Sequence, residues 1–216
     1  INVREVDKYG KNAMHHACTN ERYSLQIAMY LISLNKIDLD AKDKEKKTVL
    51  FYAVKLDNID LFQLFVKSHE FDYNEQDEDG ETILHYACSK QNFDLVQNII
   101  SLGANTTIKD NDGLTILHVA CARGNYDMVD YLVNHKEINI NEGDKNGRTP
   151  YEYALGCNHT NIVKYLKSLP GIDLTIHEEE EEEDNDEFDI SQVEPEDLQQ
   201  LIVQLIYAAA SGDKKA

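Results

Sequence analysis

The sequence has no tryptophan and only three prolines and four cysteines in 216 residues. It also lacks an apolar run of the roughly 18 residues that a transmembrane helix needs. The first ten residues, INVREVDKYG, do not resemble a signal peptide, and Ile1 in place of methionine is consistent with a fragment or a processed form. Membrane insertion is therefore not expected. The few, irregularly spaced cysteines favour an intracellular, cytoplasmic location, with the nucleus as the alternative.

Basic side chains are scarce as well. Lysine and arginine number 21 against 40 aspartates and glutamates, which gives a net charge of -19. Such a charge repels nucleic acid and anionic lipid, so we expect no direct binding to nucleic acid. Nine carboxylates lie between Glu178 and Glu187. This run predicts an acidic linker at 177–193, between a long N-terminal body and a C-terminal stretch at 194–216.

What the sequence does have is an internal repeat. The phrase TILHYACSK, from Thr82, returns as TILHVACAR from Thr115. Related phrases are KNAMHHACT, KTVLFYAVK and RTPYEYALG. One alanine recurs at steps of 36, 34, 33 and 34 residues, at Ala17, Ala53, Ala87, Ala120 and Ala154. Copies at one period predict stacked units that bury a shared core, because a single short unit cannot cover its own apolar faces.

Each copy predicts the same local structure. A polar turn such as DEDGET carries a glycine where positive φ is needed; Lys46 stands there in the second copy, which predicts a looser turn. The threonine that follows, such as Thr82, can cap the first helix with its hydroxyl. A second helix then shows apolar spacing at Phe93, Val96 and Ile99. A projecting, hairpin-like loop completes the unit.

The phrases DGETILHYAC, DGLTILHVAC and NGRTPYEYAL resemble the ankyrin repeat, whose signature runs D-x-x-G-x-T-P-L-H-x-A-A. The resemblance implies an all-α ankyrin-repeat solenoid over residues 1–176, with loops along one edge beside a concave face of first helices. Five repeats are expected at about 4–39, 40–73, 74–106, 107–140 and 141–176. The chain departs from the signature in having its only matching proline at Pro150, Asn12 for threonine, and two extra residues between the first copy's helices.

A His-x-x-Cys spacing recurs in the copies, and it could be half of a metal site. The histidines are His15, His85 and His118, and the cysteines are Cys18, Cys88 and Cys121. Because both types repeat in register, we interpret them as scaffold residues: a small side chain for close packing, and an imidazole bonded to the neighbouring turn. A zinc site needs four converging ligands, and each repeat supplies two. Cys157 lies outside this register.

Motifs of catalysis and of cofactor binding are missing. The sequence has no phosphate-binding G-x-x-x-x-G-K-[ST], no G-x-G-x-x-G, no H-E-x-x-H and no G-x-S-x-G. We therefore expect no enzymatic activity, no cofactor and no resident metal.

Binding specificity is expected where the copies differ, at the turn tips and at the ends of the first helices. These positions form a strip that is basic at both ends and acidic in the middle. Solubility alone would also explain charged turns, but in ankyrin-like proteins this surface is the usual contact site. The candidate partner-binding residues are Tyr9, Lys11, Lys44, Lys47, Lys55, Glu78, Glu81, Lys90, Asn111, Leu114, Arg123, Lys145 and Arg148.

The C-terminal stretch VEPEDLQQLIVQLIYAAASGDKK predicts an amphipathic helix within 194–216. It has Pro195 in its first turn, Gly212 at its end and an apolar stripe that includes Leu198 and Leu205. Capping of the fifth repeat is our first interpretation. The start of a second repeat array, or docking in a partner's groove, are the alternatives. The acidic run is either a solvated spacer or an electrostatic decoy for a basic partner.

These observations predict a monomeric, intracellular scaffold or adaptor that binds a partner protein through its loop tips and concave helix face. Two alternatives stay open. The chain could be the regulatory or substrate-recruiting arm of a larger enzyme or channel, or an acidic-tailed inhibitor of a basic nucleic-acid-binding protein.

Overall fold

The computed structural model describes residues 5–20 and 22–177, and this part of the chain holds ten helices and no β-strand. In chain order the helices are α1 (Ala13–Cys18), α2 (Ser24–Ser33), α3 (Val49–Lys55), α4 (Ile59–Ser68), α5 (Ile83–Ser89), α6 (Phe93–Ser101), α7 (Ile116–Arg123), α8 (Tyr126–Val133), α9 (Pro150–Gly156) and α10 (Thr160–Lys167). The expected all-α architecture is confirmed.

The helices pack as consecutive pairs, and one pair lies in each stretch for which the sequence predicts a repeat. Odd-numbered helices are the first of each pair and even-numbered helices the second. Every first helix contacts its own second helix, and each of the first four contacts the first helix of the next pair. All ten belong to one compact unit, Ile1–His177. The stack is therefore built from contacts between sequence neighbours, as in a solenoid.

The recurring alanine explains how closely the first helices approach one another. Ala53, Ala87, Ala120 and Ala154 are fully buried. Large apolar side chains on either side complete the same core, among them Leu84, Leu117 and Ile99, each at most 1% exposed. A methyl group at the alanine position leaves room for the neighbouring helix, so a larger residue there would separate the units.

Capping of the first helices agrees with the sequence in most repeats and fails in one. Asn12 accepts hydrogen bonds from the backbone N–H groups of Met14 and His15 through its side chain. Thr82 and His85 form a capping box, in which the imidazole Nδ1 accepts the Thr82 N–H at 3.1 Å. Thr48 makes no cap hydrogen bond, contrary to expectation. Phe51, rather than histidine, lies three residues after Thr48, so no ring nitrogen completes a box there.

The second turn is not looser than the others, and that prediction was wrong. Lys46 adopts φ +62°, the left-handed conformation that Gly80 adopts at +77° in the third turn. Its N–H donates to Asp43 O at 3.0 Å, as the Gly80 N–H donates to Asp77 O at 3.2 Å. The neighbouring turns impose the left-handed conformation, and Lys46 adopts it although this conformation is strained for a residue with a side chain.

After α10 the chain begins another loop in register with the preceding ones. The Asp173 N–H donates to the Asn141 side chain at 2.8 Å, as the Asn105 N–H donates to Asn74 at 2.7 Å. The described chain then ends at His177, which contacts Glu152 of the fifth repeat. The predicted C-terminal helix, and the acidic linker beyond His177, lie outside the described residues.

Candidate functional site

The five turns that precede the first helices, which we name the fingers, share one internal geometry. In the third finger, Asp77 Oδ1 accepts the N–H groups of Asp79 at 3.0 Å and Glu81 at 2.9 Å. Equivalent bonds hold the other fingers, because an aspartate side chain can mimic a backbone acceptor and close a turn. The turn aspartates are Asp7, Asp43, Asp77, Asp110 and Asp144.

Backbone hydrogen bonds also join each finger to the next. The Lys44 N–H donates to Tyr9 O at 2.9 Å, and the Glu78 N–H donates to Glu45 O at 2.9 Å. Two further bonds, Asn111 N–H to Asp79 O at 2.9 Å and Lys145 N–H to Asp112 O at 3.0 Å, continue the row. The tips are therefore held in fixed relation to one another before any partner binds.

The structure sorts the predicted surface residues by exposure. Most are exposed: Tyr9, Lys44, Lys55, Glu78, Lys90, Asn111, Arg123 and Lys145. Four others are half-buried: Lys11, Glu81, Leu114 and Arg148. Lys47 is buried, with 5% of its surface exposed, so its inclusion among the surface contacts was wrong.

Lys47 is buried because it stabilises the stack. Its Nζ lies 2.7 Å from Glu45 Oε2 and 3.5 Å from Asp77 Oδ2, and it sits over the Tyr86 ring. Burial alone would lower the pKa of this ammonium, but the contacts with Glu45 and Tyr86 dominate and raise it. The Lys47 ammonium thus links the second finger to the third through ionic contacts, and it is not available to bind a partner.

Three more predicted residues are partly engaged by the scaffold. The Lys11 ammonium lies 5.3 Å from the centre of the Tyr52 ring. Arg148 pairs with Asp144 at 3.1 Å and lies over the Tyr153 ring. The Asn111 side chain donates to the backbone carbonyl of Glu78 at 2.8 Å. These residues shape the surface more than they offer free groups to a partner.

A second row of residues, which the sequence reasoning missed, lies on the first helices. We name it the plus-nine row, because each member follows its turn aspartate by nine residues: His16, Tyr52, Tyr86, Val119 and Tyr153. The tyrosine hydroxyls donate to their aspartates at 2.6, 2.8 and 2.7 Å, and the His16 ring lies 3.0 Å from Asp7. The sequence signal for this row was the recurrence of a tyrosine nine residues after a turn aspartate.

Electrostatics differ between the third finger and its neighbours. Burial, followed by the nearby Asp77 carboxylate, raises the pKa of Glu81. In the first and second repeats the same register holds a cation, Lys11 or Lys47, that lies over the tyrosine of the next repeat. In the third repeat this register holds Glu81, and the repeat that follows has Val119 in place of the tyrosine. The middle of this face therefore carries an excess of negative charge.

Comparison with known families assigns this architecture. A family model described as "Ankyrin repeats (3 copies)" matches residues 14–110 and, again, 84–178. The chain belongs to the ankyrin-repeat family. The resemblance seen in the sequence is thereby confirmed. Comparison with curated proteins returned no match. Ankyrin repeats are generally protein–protein interaction modules, which is the function that membership supports.

The histidines of the ankyrin repeats join neighbouring units, as predicted. The Nε2 atoms of His15, His85 and His118 lie 3.1, 3.2 and 3.1 Å from backbone carbonyls in the next finger. Burial raises the pKa of the Cys18 thiol to about 12, and it raises the pKa of Cys88 and Cys121 as well. Protonated, buried thiols are poor nucleophiles and poor metal ligands, which fits a packing role.

One group of carboxylates has the spacing of a cation site. Ligand atoms of Asp77, Asp79 and Glu81 lie within 4.8 Å of one another. Both oxygens of Asp77 are occupied, however, by two backbone N–H groups, the Tyr86 hydroxyl and Lys47. The ankyrin turn itself thus accounts for this group. None of the helices in the described part of the chain has the length and apolar character needed to cross a bilayer.

Proposed function

We propose that this chain is a protein-binding scaffold that presents its row of fingers and the exposed face of its first helices to a partner protein. The observation that carries the proposal is the set of backbone hydrogen bonds that joins finger to finger. A surface fixed in advance loses little conformational entropy on association, so more of the contact free energy appears as affinity.

The charged side chains best placed for recognition are those that the scaffold leaves free. Lys44 and Lys145 lie at finger tips, whereas Lys55, Lys90 and Arg123 lie at the ends of first helices. All five are exposed, and none makes a side-chain hydrogen bond or salt bridge to another described residue. These cations supply complementarity to acidic groups of a partner, and with it specificity and a faster association rate.

The proposal extends to organisation and location. The repeat domain spans 1–176, followed by the acidic linker at 177–193 and the amphipathic helix at 194–216. The protein acts as a monomer without catalytic activity, in an intracellular reducing compartment that keeps its thiols unpaired.

The test is affinity purification from native cells with matched charge changes. The double variant Lys44→Glu and Lys145→Glu reverses two free finger charges. Lys145 is preferred to Arg148, because a carboxylate at 148 would lie beside Asp144 and disturb the turn itself. Lys67→Glu with Lys164→Glu changes the net charge equally on the exposed sides of α4 and α10.

We expect the finger variant to lose its partners and the second-helix control to retain them. Circular dichroism of both variants shows whether the fold is kept. If the finger variant retains the wild-type partners at equal recovery, the proposed surface is wrong.

A further inference from the structure

The fourth repeat breaks the plus-nine row. In the other four repeats this position carries a side chain that hydrogen-bonds the turn aspartate: His16, Tyr52, Tyr86 or Tyr153. Val119 replaces it and has no polar atom. Asp110 Oδ1 still accepts two backbone N–H groups, but its Oδ2 receives no hydrogen bond from any residue that the structure describes. The fourth repeat therefore lacks both a phenol ring and its donor.

The missing ring leaves an apolar patch at this point of the stack. Val119 is half-buried, as Tyr153 is, whereas Tyr52 and Tyr86 have at most 9% of their surface exposed. Ala122 lies one helical turn further along the same side of α7. Leu114 holds the register of Arg148, which contacts Tyr153. We name Leu114, Val119 and Ala122 the fourth-repeat patch; all three are half-buried.

Opposite charges border the fourth-repeat patch on its two sides. Glu81, Asp110 and Asp112 lie on the finger side. Lys90 and Arg123 lie at the far ends of α5 and α7. Arg123 is the last residue of α7, so it lies about 10 Å along the helix axis from the start of that helix at Ile116. A partner on the patch would therefore meet carboxylates on one side and cations on the other.

We propose that the fourth-repeat patch is the anchor point for a partner peptide segment of defined chemistry. The segment inserts one apolar side chain over Val119, presents a lysine or arginine toward Glu81 and Asp110, and presents an aspartate or glutamate toward Lys90 and Arg123. This inference rests on the proposed function and goes beyond it by naming the chemistry of the partner.

Two physical arguments favour this occupant. Buried apolar anchors surrounded by charged residues are the usual source of binding free energy in protein interfaces. A partner cation beside Glu81 would also offset the repulsion from Asp77, Asp79 and Asp110 that acts on this half-buried carboxylate. An arginine fits best, because its planar guanidinium can bridge two carboxylates and cover an apolar floor.

The test uses the variant Val119→Tyr, which restores the plus-nine row. The new phenol can donate to Asp110 as Tyr86 donates to Asp77, so the variant is expected to fold and to melt no lower than the wild type. It also fills the fourth-repeat patch. Val119→Ile is the matched control, because it adds bulk but keeps the patch apolar and open.

The probe is a random dodecapeptide library displayed on phage, selected on the wild-type chain. Enriched peptides are synthesised and measured by fluorescence anisotropy. We expect an apolar residue flanked by a basic and an acidic residue, with affinity lowered at least about tenfold by Val119→Tyr and within about threefold of wild type for Val119→Ile.

Enrichment of peptides that bind Val119→Tyr as tightly as the wild type would overturn the inference, and so would no enrichment at all. The variant Lys44→Glu with Lys145→Glu then separates the two hypotheses. If peptides bind Val119→Tyr with unchanged affinity but do not bind the finger variant, the proposed function is still supported. Peptides that are insensitive to both overturn the proposed function as well.

Discussion

The second and third repeats solve the same structural problem with different chemistry. In the third repeat, His85 joins two units: its Nδ1 accepts the Thr82 N–H, and its Nε2–H donates to Leu114 O at 3.2 Å. Phe51 occupies that register in the second repeat, is 1% exposed, and packs edge-on against Tyr86 with ring centres 5.7 Å apart. At this register, the side chain that joins the repeats is polar in one case and apolar in the other.

From the comparison we infer that this position needs a filled volume more than it needs a hydrogen bond. Where the imidazole bond is missing, the Lys47–Asp77 contact at 3.5 Å links the same two units instead. The finger geometry survives the exchange, because the backbone bonds between fingers are present in both cases. The family signature therefore describes one solution of several that preserve the stack.

Among the substitutions that test this comparison, Phe51→Ala is expected to lower the free energy of unfolding the most. The substitution empties a buried ring volume and removes the Tyr86 contact, at a cost of about 3–5 kcal/mol in the free energy of unfolding. His85→Ala removes a smaller side chain and its bonds, at about 2–3 kcal/mol. Urea denaturation followed by circular dichroism measures both. A larger loss for His85→Ala would mean that the hydrogen bond, and not the volume, holds the units together.

The joint that contains His85 should also respond to a pH near 6, whereas the joint that contains Phe51 has no imidazole to titrate there. Burial lowers the pKa of His85, although the Leu114 carbonyl and the carboxylates of Asp110 and Asp77 oppose it; burial likewise lowers the pKa of His15 and His118. Below the unfolded value of about 6.5 the unfolded chain binds more protons, so stability is fully present above that pH and falls as the pH decreases. Each histidine contributes at most about 1.4 kcal/mol per pH unit.

The variant His85→Phe copies the apolar joint and tests this dependence. Its free energy of unfolding should fall less steeply than that of the wild type between pH 7.5 and 5.5. The difference in slope should equal the contribution of one titrating histidine. Urea melts at several pH values provide the slope. An unchanged slope would show that His85 is not protonated selectively in the unfolded chain.

The fold could be predicted from the sequence because its determinants are local and repeated. Thr82, His85 and Ala87 lie within six residues, and their register recurs at a fixed period. The structure assigned to one copy is therefore supported independently by the others. The candidate surface was harder to predict. The contacts of Lys47 with Asp77 and Tyr86 cross 30 residues or more, and they are visible only once the fingers are placed side by side. An exposed turn and a buried ion pair have the same local sequence.

The plus-nine row lay within reach of the sequence, since Asp43 and Tyr52, Asp77 and Tyr86, and Asp144 and Tyr153 all share one spacing. Val119 then stands out as the exception. Lys46 was not predictable in the same way, because a local propensity argument favours a relaxed turn at a non-glycine residue. The bonds from the first and third fingers overrule that preference.

Lys46→Gly is the smallest predicted change and should make the second finger more like the third. Because Lys46 has φ +62°, a side chain there costs about 1 kcal/mol that glycine avoids. We expect a gain of about 0.5–1 kcal/mol in the free energy of unfolding, measured by urea denaturation. Lys44→Gly is the control two residues away, where φ is not positive, and it should be neutral or destabilising because glycine adds freedom to the unfolded chain. Equal destabilisation by both would indicate that the lysine at 46 contributes contacts that outweigh its backbone strain.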